Sequence, residues 1–278
     1  MAVPSSPSYS IDDLIYLMAR LRKPETGCPW DLKQDYRSIT PSTIEEAYEV
    51  VDAIESGDLM HLREELGDLL FQVIFYSQLA SEDNIWDFSA VVHGLTEKLI
   101  RRHPHVFPDG GLNSERPPGP PPEDGAIKQT WEKIKQQERH AKGKQKLLDD
   151  VPRALPAMSR AEKLQKRAAK VGFDWEDPAP VLDVVAGELT ELRDAFAEKD
   201  ENAVAEELGD VLFACVNLSR HLKLDAEQLL RNANQKFETR FQYIEESLAA
   251  RGQSLEDSTV EEMEMLWQQA KSRTFNAE

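Results

Sequence analysis

One short string in this chain is written almost twice, and the second copy brings its surroundings with it. Residues 64–71 read EELGDLLF and residues 206–213 read EELGDVLF. A further acidic pair stands upstream of each copy: Glu46 and Glu49 in the first half, Glu188 and Glu191 in the second. Glu46, Glu49, Glu65 and Asp68 therefore each have a counterpart 142 positions later, at Glu188, Glu191, Glu207 and Asp210. A repeat at constant spacing implies one structural module used twice. Glu-x-x-Glu followed by Glu-x-x-Asp is helical spacing, because residues three apart share a helix face. No convincing β alternation appears elsewhere, so the expected fold is all-α, with two tandem repeated helical bundles. The stretch Leu147–Pro156, with prolines at 152 and 156, marks the expected boundary, giving domains 1–146 and 147–278.

A chain of 278 residues is long enough for two domains of ordinary size. Its net charge of −18 repels long polyanions, so neither a nucleic-acid polymer nor an anionic membrane surface is an expected partner. A small anionic ligand is still admissible if a cation carries it. Two cysteines, Cys28 and Cys215, make neither a disulfide framework nor a zinc motif. The start MAVPSSPSYS has no basic cluster and no apolar run, so no signal peptide is expected. The densest apolar stretch, Leu69–Tyr76, is broken by Gln72 and is too short to span a bilayer. A soluble, cytoplasmic protein is the expectation.

The helical pattern can be followed through both halves. In the first, a helix over Ile11–Lys23 stops at Pro24 and is followed by the turn Gly27–Asp31. Ser42-Thr-Ile-Glu45 has the form of a capping box for the helix of Glu46 and Glu49. Asp58 caps the next helix, whose Leu62, Leu66, Leu69, Leu70 and Val73 form a wide apolar face. Asp87 opens a helix to about His103. Six prolines and four glycines make residues 108–125 a loop, and a helix from Ala126 to about Lys142 follows. The second half repeats the order: Met158–Lys170, the turn Gly172–Trp175, a helix opened by Pro178, then helices near 202–222, 225–251 and 259–273.

If the two acidic helices of a half pack antiparallel, their four carboxylates converge. A solvated acidic face is the ordinary explanation of charge on a helix. Linked pairs duplicated at fixed spacing beside an apolar stripe favour a divalent cation instead, and hard oxygen donors suit Mg²⁺ or Mn²⁺. The candidate metal ligands are Glu46, Glu49, Glu65 and Asp68 in the first half and Glu188, Glu191, Glu207 and Asp210 in the second. Gly67 and Gly209 sit inside the acidic repeats, at a cost of about 1 kcal/mol relative to alanine. Close approach by another helix or by a ligand would explain both.

Two more pairs repeat. Lys98 and Arg102, and Lys236 and Arg240, are each four apart and can grip phosphate oxygens from one helix face. Trp131 with Lys135, and Trp267 with Lys271, could stack on a base while reaching a phosphate. Trp30 and Trp175 end their turns and read as packing residues. His103 and His105 have no counterpart in the second half and read as structural or surface residues. A carboxylate-bridged di-iron bundle would need Glu-x-x-His on two helices, and the third position here is never His.

Glu45-Glu-x-x-Glu49 followed by Glu65-x-x-Asp68, together with GCPWD (Gly27–Asp31), RRHPHVF (Arg101–Phe107) and VGFDW (Val171–Trp175), resembles the MazG family of nucleoside triphosphate pyrophosphohydrolases in its two-domain form. The resemblance runs from about Ile11 to Arg273. It implies an all-α homodimer that converts a nucleoside triphosphate, with Mg²⁺, to the monophosphate and pyrophosphate. By similarity the eight acids named above hold the metal. Lys98, Arg102, Trp131 and Lys135 would contact the nucleotide in the first domain, and Lys236, Arg240, Trp267 and Lys271 in the second. One departure is visible: the family pattern opens with two acids, as Glu45-Glu46 does, whereas the second half has Gly187-Glu188.

Hydrolysis between the α- and β-phosphates needs charge neutralisation, an activated water and a stabilised leaving group. Glu49 and Glu191 are the candidate general bases. The alternative class is a non-catalytic Mg-nucleotide sensor or regulatory partner, which pyrophosphate release would separate from the enzyme. The second half is expected to carry most of the turnover. In the first, the loop 108–125 must be ordered before Trp131 and Lys135 can close over a ligand.

Overall fold

The computed structural model describes residues 8–141, 143 and 146–274. The readings at the extreme N-terminus and at Lys142 lie wholly or partly outside the described residues. Among those described there are ten α-helices and no β-strand. Two compact units divide the chain between Glu138 and Arg139.

The first unit holds α1 (Ile11–Leu21), a 3₁₀ turn (Asp31–Lys33), α2 (Thr40–Ser56), α3 (Leu59–Glu82), α4 (Phe88–Arg102) and all but the last residues of α5 (Asp124–Ala141). Ser10 and Asp13 form a capping box that starts α1, a device worth about 1 kcal/mol. Beyond Pro24 the chain folds back tightly enough for the Cys28 amide to donate to the Leu21 carbonyl at 2.7 Å. A Cβ on Gly27 would sit 2.3 Å from that same oxygen, so the turn requires glycine. The buried Arg22 guanidinium pins the turn, donating to the Asp31 carbonyl, to the Gln34 carbonyl at 3.2 Å and to Glu82 at 2.8 Å.

α2 corrects one expectation. It begins at Thr40, with Ile39 at the N-cap and no side-chain cap, so Ser42 and Glu45 already lie inside the helix. Pro41 takes the first turn, where its missing N–H is harmless, and burial of Ile39 holds the entry in place of a capping box. Gly57, at φ 75°, then turns the chain, and Asp58 accepts from the Met60 and His61 amides to start α3. α2 and α3 thus form a tight hairpin.

The second unit holds α6 (Ala157–Ala169), α7 (Pro178–Glu198), α8 (Glu201–His221), α9 (Ala226–Ala249) and α10 (Val260–Thr274). The same hairpin recurs in α7 and α8, with Lys199 left-handed at φ 60° where the first unit has Gly57, and with Asp200 capping α8. Both Asp87 and Asp225 cap the helix that follows each hairpin.

The cores also differ from expectation. In the first unit Met18, Ile39, Ile74, Phe75 and Leu79 form the buried cluster. α3 therefore turns Ile74, Phe75 and Leu79 inward, while Leu66, Leu70 and Val73 stay exposed. The expected apolar face, Leu62, Leu66, Leu69, Leu70 and Val73, includes none of these three core residues, and three of its five members are exposed. The helix is apolar most of the way round in this region, so its pattern does not say which stripe the same unit covers. In the second unit Ile244 and Leu248 of α9 pack with Leu266 of α10. No helix among the described residues is long and apolar enough to cross a membrane.

Candidate metal and nucleotide site

Each hairpin brings its two acidic pairs together. In the first unit Glu46 and Glu49 of α2 and Glu65 of α3 offer oxygens that all lie within 4.8 Å of one another. In the second the corresponding close group is Glu188 of α7 with Glu207 and Asp210 of α8. Asp68 and Glu191 lie outside these tight groups, yet both act on them electrostatically. Burial, and then the charge of Asp68 and Glu49, raises the Glu46 carboxyl above its ordinary value. Burial, and then Glu49, does the same to Glu65. Glu188 is raised by burial and by Glu191 and Asp210, and Glu207 by burial, Glu191, Asp210 and Glu188.

The compensation differs between the two clusters. In the first, Gln72 Nε2 donates to Glu46 at 3.4 Å and His61 Nδ1 approaches Glu65 at 3.1 Å. Residues 203 and 214, at the matching positions of the second unit, are both alanine. There, neither Glu188 nor Glu207 has a hydrogen bond or a positive neighbour among the causes of its shift. A set of converging, mutually repelling carboxylates with no protein cation suits a hard divalent ion.

Gly67 and Gly209 leave open space. A Cβ at either would meet no atom within 4 Å, so packing by another helix of the same unit does not explain them.

The repeated basic pairs separate in the same way. Arg102 and its neighbour Arg101 both clamp Glu138 of α5, at 2.5 Å and 2.7 Å. The hydrogen bond from Arg102, and then that from Arg101, pulls the Glu138 carboxyl down to about 2. Glu138 stands seven residues after Trp131, and seven after Trp267 stands Thr274. Among the described residues Arg240 accordingly has no such acid. Its guanidinium lies 5.6 Å from the centre of the Trp267 ring, and its Nε is buried with no hydrogen-bond partner. Lys98 is half-buried and Lys236 exposed.

Trp131 and Arg102 line one hollow of about 260 Å³, but Lys135 Nζ already covers the Trp131 ring at 4.0 Å. Trp267 packs on the α9–α10 core and on Phe237, at 5.3 Å. Lys271 is half-buried on α10. His103 and His105, which also line the hollow, have tilted rings with centres 5.6 Å apart.

Trp30 and Trp175 are not packed cores: they are 59% and 40% exposed. Each sits on a turn held by its polar neighbours rather than by its ring. In the second unit the holder is Asp174. It takes a two-pronged contact from Arg220 and lies 3.0 Å from His221, which fixes the Gly172–Trp175 turn onto α8. Arg220 and the charge of His221 help keep the Asp174 carboxyl below its ordinary value.

This turn walls a cavity of about 390 Å³ that opens onto Glu188 and Asp210. Gln165, Asn217 and Arg220, which also line it, escaped the sequence reading because they belong to no duplicated motif. Of the lining residues, Glu188 and Asp210 stand in the duplicated acidic motif, and Phe173, Asp174 and Trp175 in the VGFDW string.

The family model for the MazG nucleotide pyrophosphohydrolase domain matches residues 34–107 and again 177–244. The chain is 48% identical over 268 residues to the nucleoside triphosphate pyrophosphohydrolase of Escherichia coli (strain K12), covering 96% of this chain and 98% of that one. It is 41% identical over 260 residues to the nucleoside triphosphate pyrophosphohydrolase/pyrophosphatase MazG of Thermotoga maritima, covering 94% of this chain and 95% of that one. Both matched segments contain one acidic cluster and its basic helix.

Proposed function

Since the chain belongs to the MazG nucleotide pyrophosphohydrolase family, we propose that it hydrolyses nucleoside triphosphates, ribo- and deoxyribo-, to the monophosphate and pyrophosphate with Mg²⁺, and that the second unit carries most of the turnover. One observation supports the assignment to that unit above all. That unit has both an uncompensated Glu188–Glu207–Asp210 cluster and an arginine, Arg240, whose buried Nε has no partner. The equivalent Arg102 is spent on Glu138.

Glu188, Glu191, Glu207 and Asp210 would hold the cation, with Mn²⁺ as a substitute. When bound, it would screen the phosphate oxygens and acidify water. The chain's own groups do the rest. Water oxygen attacks the α-phosphorus, the bond from that phosphorus to the α,β-bridging oxygen breaks, and pyrophosphate leaves. Glu191, outside the tight group, would take the water's proton. Lys236, Arg240 and Lys271 supply positive charge for the leaving group, and Trp267 carries Arg240 on its ring face. Lys98, Arg102, Trp131, Lys135 and the acids Glu46, Glu49, Glu65 and Asp68 form a first-unit counterpart of lower or no turnover.

Product analysis tests the reading. The full chain should yield monophosphate and pyrophosphate from ATP or dNTPs, with EDTA abolishing the reaction. Diphosphate and orthophosphate as products, or turnover that survives EDTA, would reject it.

A homodimer belongs to the same proposal. Leu66, Leu70 and Val73 on α3, and Leu208 and Leu212 on α8, are all exposed, so each hairpin carries an apolar stripe that its own unit leaves uncovered. The open space at Gly67 and Gly209 lies on the same helices. Sedimentation equilibrium should give twice the chain mass of 31.6 kDa; a monomer at micromolar concentration would refute the pairing.

A further inference from the structure

A residue that lines the cavity beside the second acidic cluster carries an acceptor with nothing to accept. Gln165 of α6 is 8% exposed, and its Nε2 donates to the Phe213 carbonyl at 2.9 Å. A carbonyl oxygen can only accept, so the amide orientation is forced: the nitrogen faces α8. That leaves Gln165 Oε1, which is buried and has no hydrogen-bond partner. An unpaired buried acceptor is expensive unless a ligand completes it.

The surroundings narrow down that ligand. Gln165 lines the 390 Å³ cavity whose walls include Leu164, Ala168, Val184, Phe213 and Ala214. The volume lies within the range of small-molecule sites, and the walls are apolar with few polar groups, as such sites are. At one end stand Glu188 and Asp210, and Asp210, Ala214 and Asn217 then follow one another along a single face of α8. Seven residues of helix span about 10 Å, roughly the reach from an α-phosphate to the far edge of a nucleobase. Phe173 and Trp175 provide aromatic surface on the same cavity, held there by the Asp174–Arg220 contact.

We propose that this cavity takes the nucleobase and that Gln165 Oε1 reads its N–H edge. The inference rests on the hydrolase reading, because it places the phosphates at Glu188 and Asp210. Adenine and cytosine each offer an exocyclic amine, and guanine offers N2–H₂. Uracil and thymine offer a ring N–H. Each common base thus has a donor for one acceptor, though at different ring positions, and a base stripped of its donor loses that hydrogen bond. Gln165 is thus a specificity-determining residue that touches substrate but not the reacting atoms.

The test compares ATP with purine riboside triphosphate, and CTP with 2-pyrimidinone riboside triphosphate. Each analogue lacks only the exocyclic amine. In the unaltered protein with Mg²⁺, kcat/KM should favour the amine-bearing nucleotide at least about tenfold in at least one pair, the scale of leaving a buried acceptor unpaired. Gln165→Leu should shrink that ratio to within about twofold by lowering kcat/KM for the amine-bearing member alone, with helicity retained. Equal kcat/KM within both pairs in the unaltered protein overturns the proposal, as does a Gln165→Leu protein that is folded and keeps the ratio. If no triphosphate releases pyrophosphate, the hydrolase reading fails by itself. The base pocket is then judged by the same ratios measured as calorimetric affinities with Mg²⁺, and equal affinities overturn it.

Discussion

Replacing Asp210 by alanine is expected to lower pyrophosphate release by at least about a hundredfold, because it removes one of the three converging oxygens in the second unit. The fold should not suffer. Asp210 is exposed, and its charge helps to raise both Glu188 and Glu207. A raised carboxyl means that the folded state holds its proton more tightly than the unfolded chain does. Those two groups therefore erode stability as pH rises through and above the ordinary carboxylate range. Removing a repelling neighbour relieves that penalty, so in EDTA at neutral pH the melting temperature of Asp210→Ala should equal or exceed that of the unaltered protein. The matching change in the first unit, Asp68→Ala, should leave turnover within about twofold. Circular dichroism melts and a pyrophosphate assay on both variants check this. An Asp210→Ala protein that keeps a tenth or more of its activity would defeat the assignment.

The second large effect falls on the arginines. Arg240→Met should cost about a hundredfold or more in kcat/KM, the scale of losing one preorganised charged donor at the developing pyrophosphate. The methionine keeps contact with Trp267, so packing is largely preserved. Arg102→Met should change activity by less than about twofold, because Arg102 already serves Glu138. Steady-state kinetics on the two full-length variants decide the matter. Comparable losses from both would mean that the clamp on Glu138 opens to substrate and that both units work.

Much of this was visible in the primary structure. The 142-residue repeat marked the acids, and three-residue spacing on helices implied that each pair would share a face. The hairpins were legible because their caps are local: Asp58 and Asp200 satisfy amides two and three residues away. The misreadings came where local signals competed. Ser42 and Glu45 have the letters of a capping box, but Pro41 and the buried Ile39 start the helix two residues earlier. α3 is apolar on several faces, and only packing against α1 and α2 selected Ile74, Phe75 and Leu79 for the core.

The sequence by itself determined the all-helical class, the duplication and the identity of the acids, since each of these depends on spacing along a single chain. Tertiary structure decided what the differences between the two halves do. Glu138 reaches Arg102 from 36 positions away, and Gln165 meets Phe213 from 48. Which cation is neutralised and which acceptor is left open depends on packing between helices distant in sequence, and no periodicity along the chain records that.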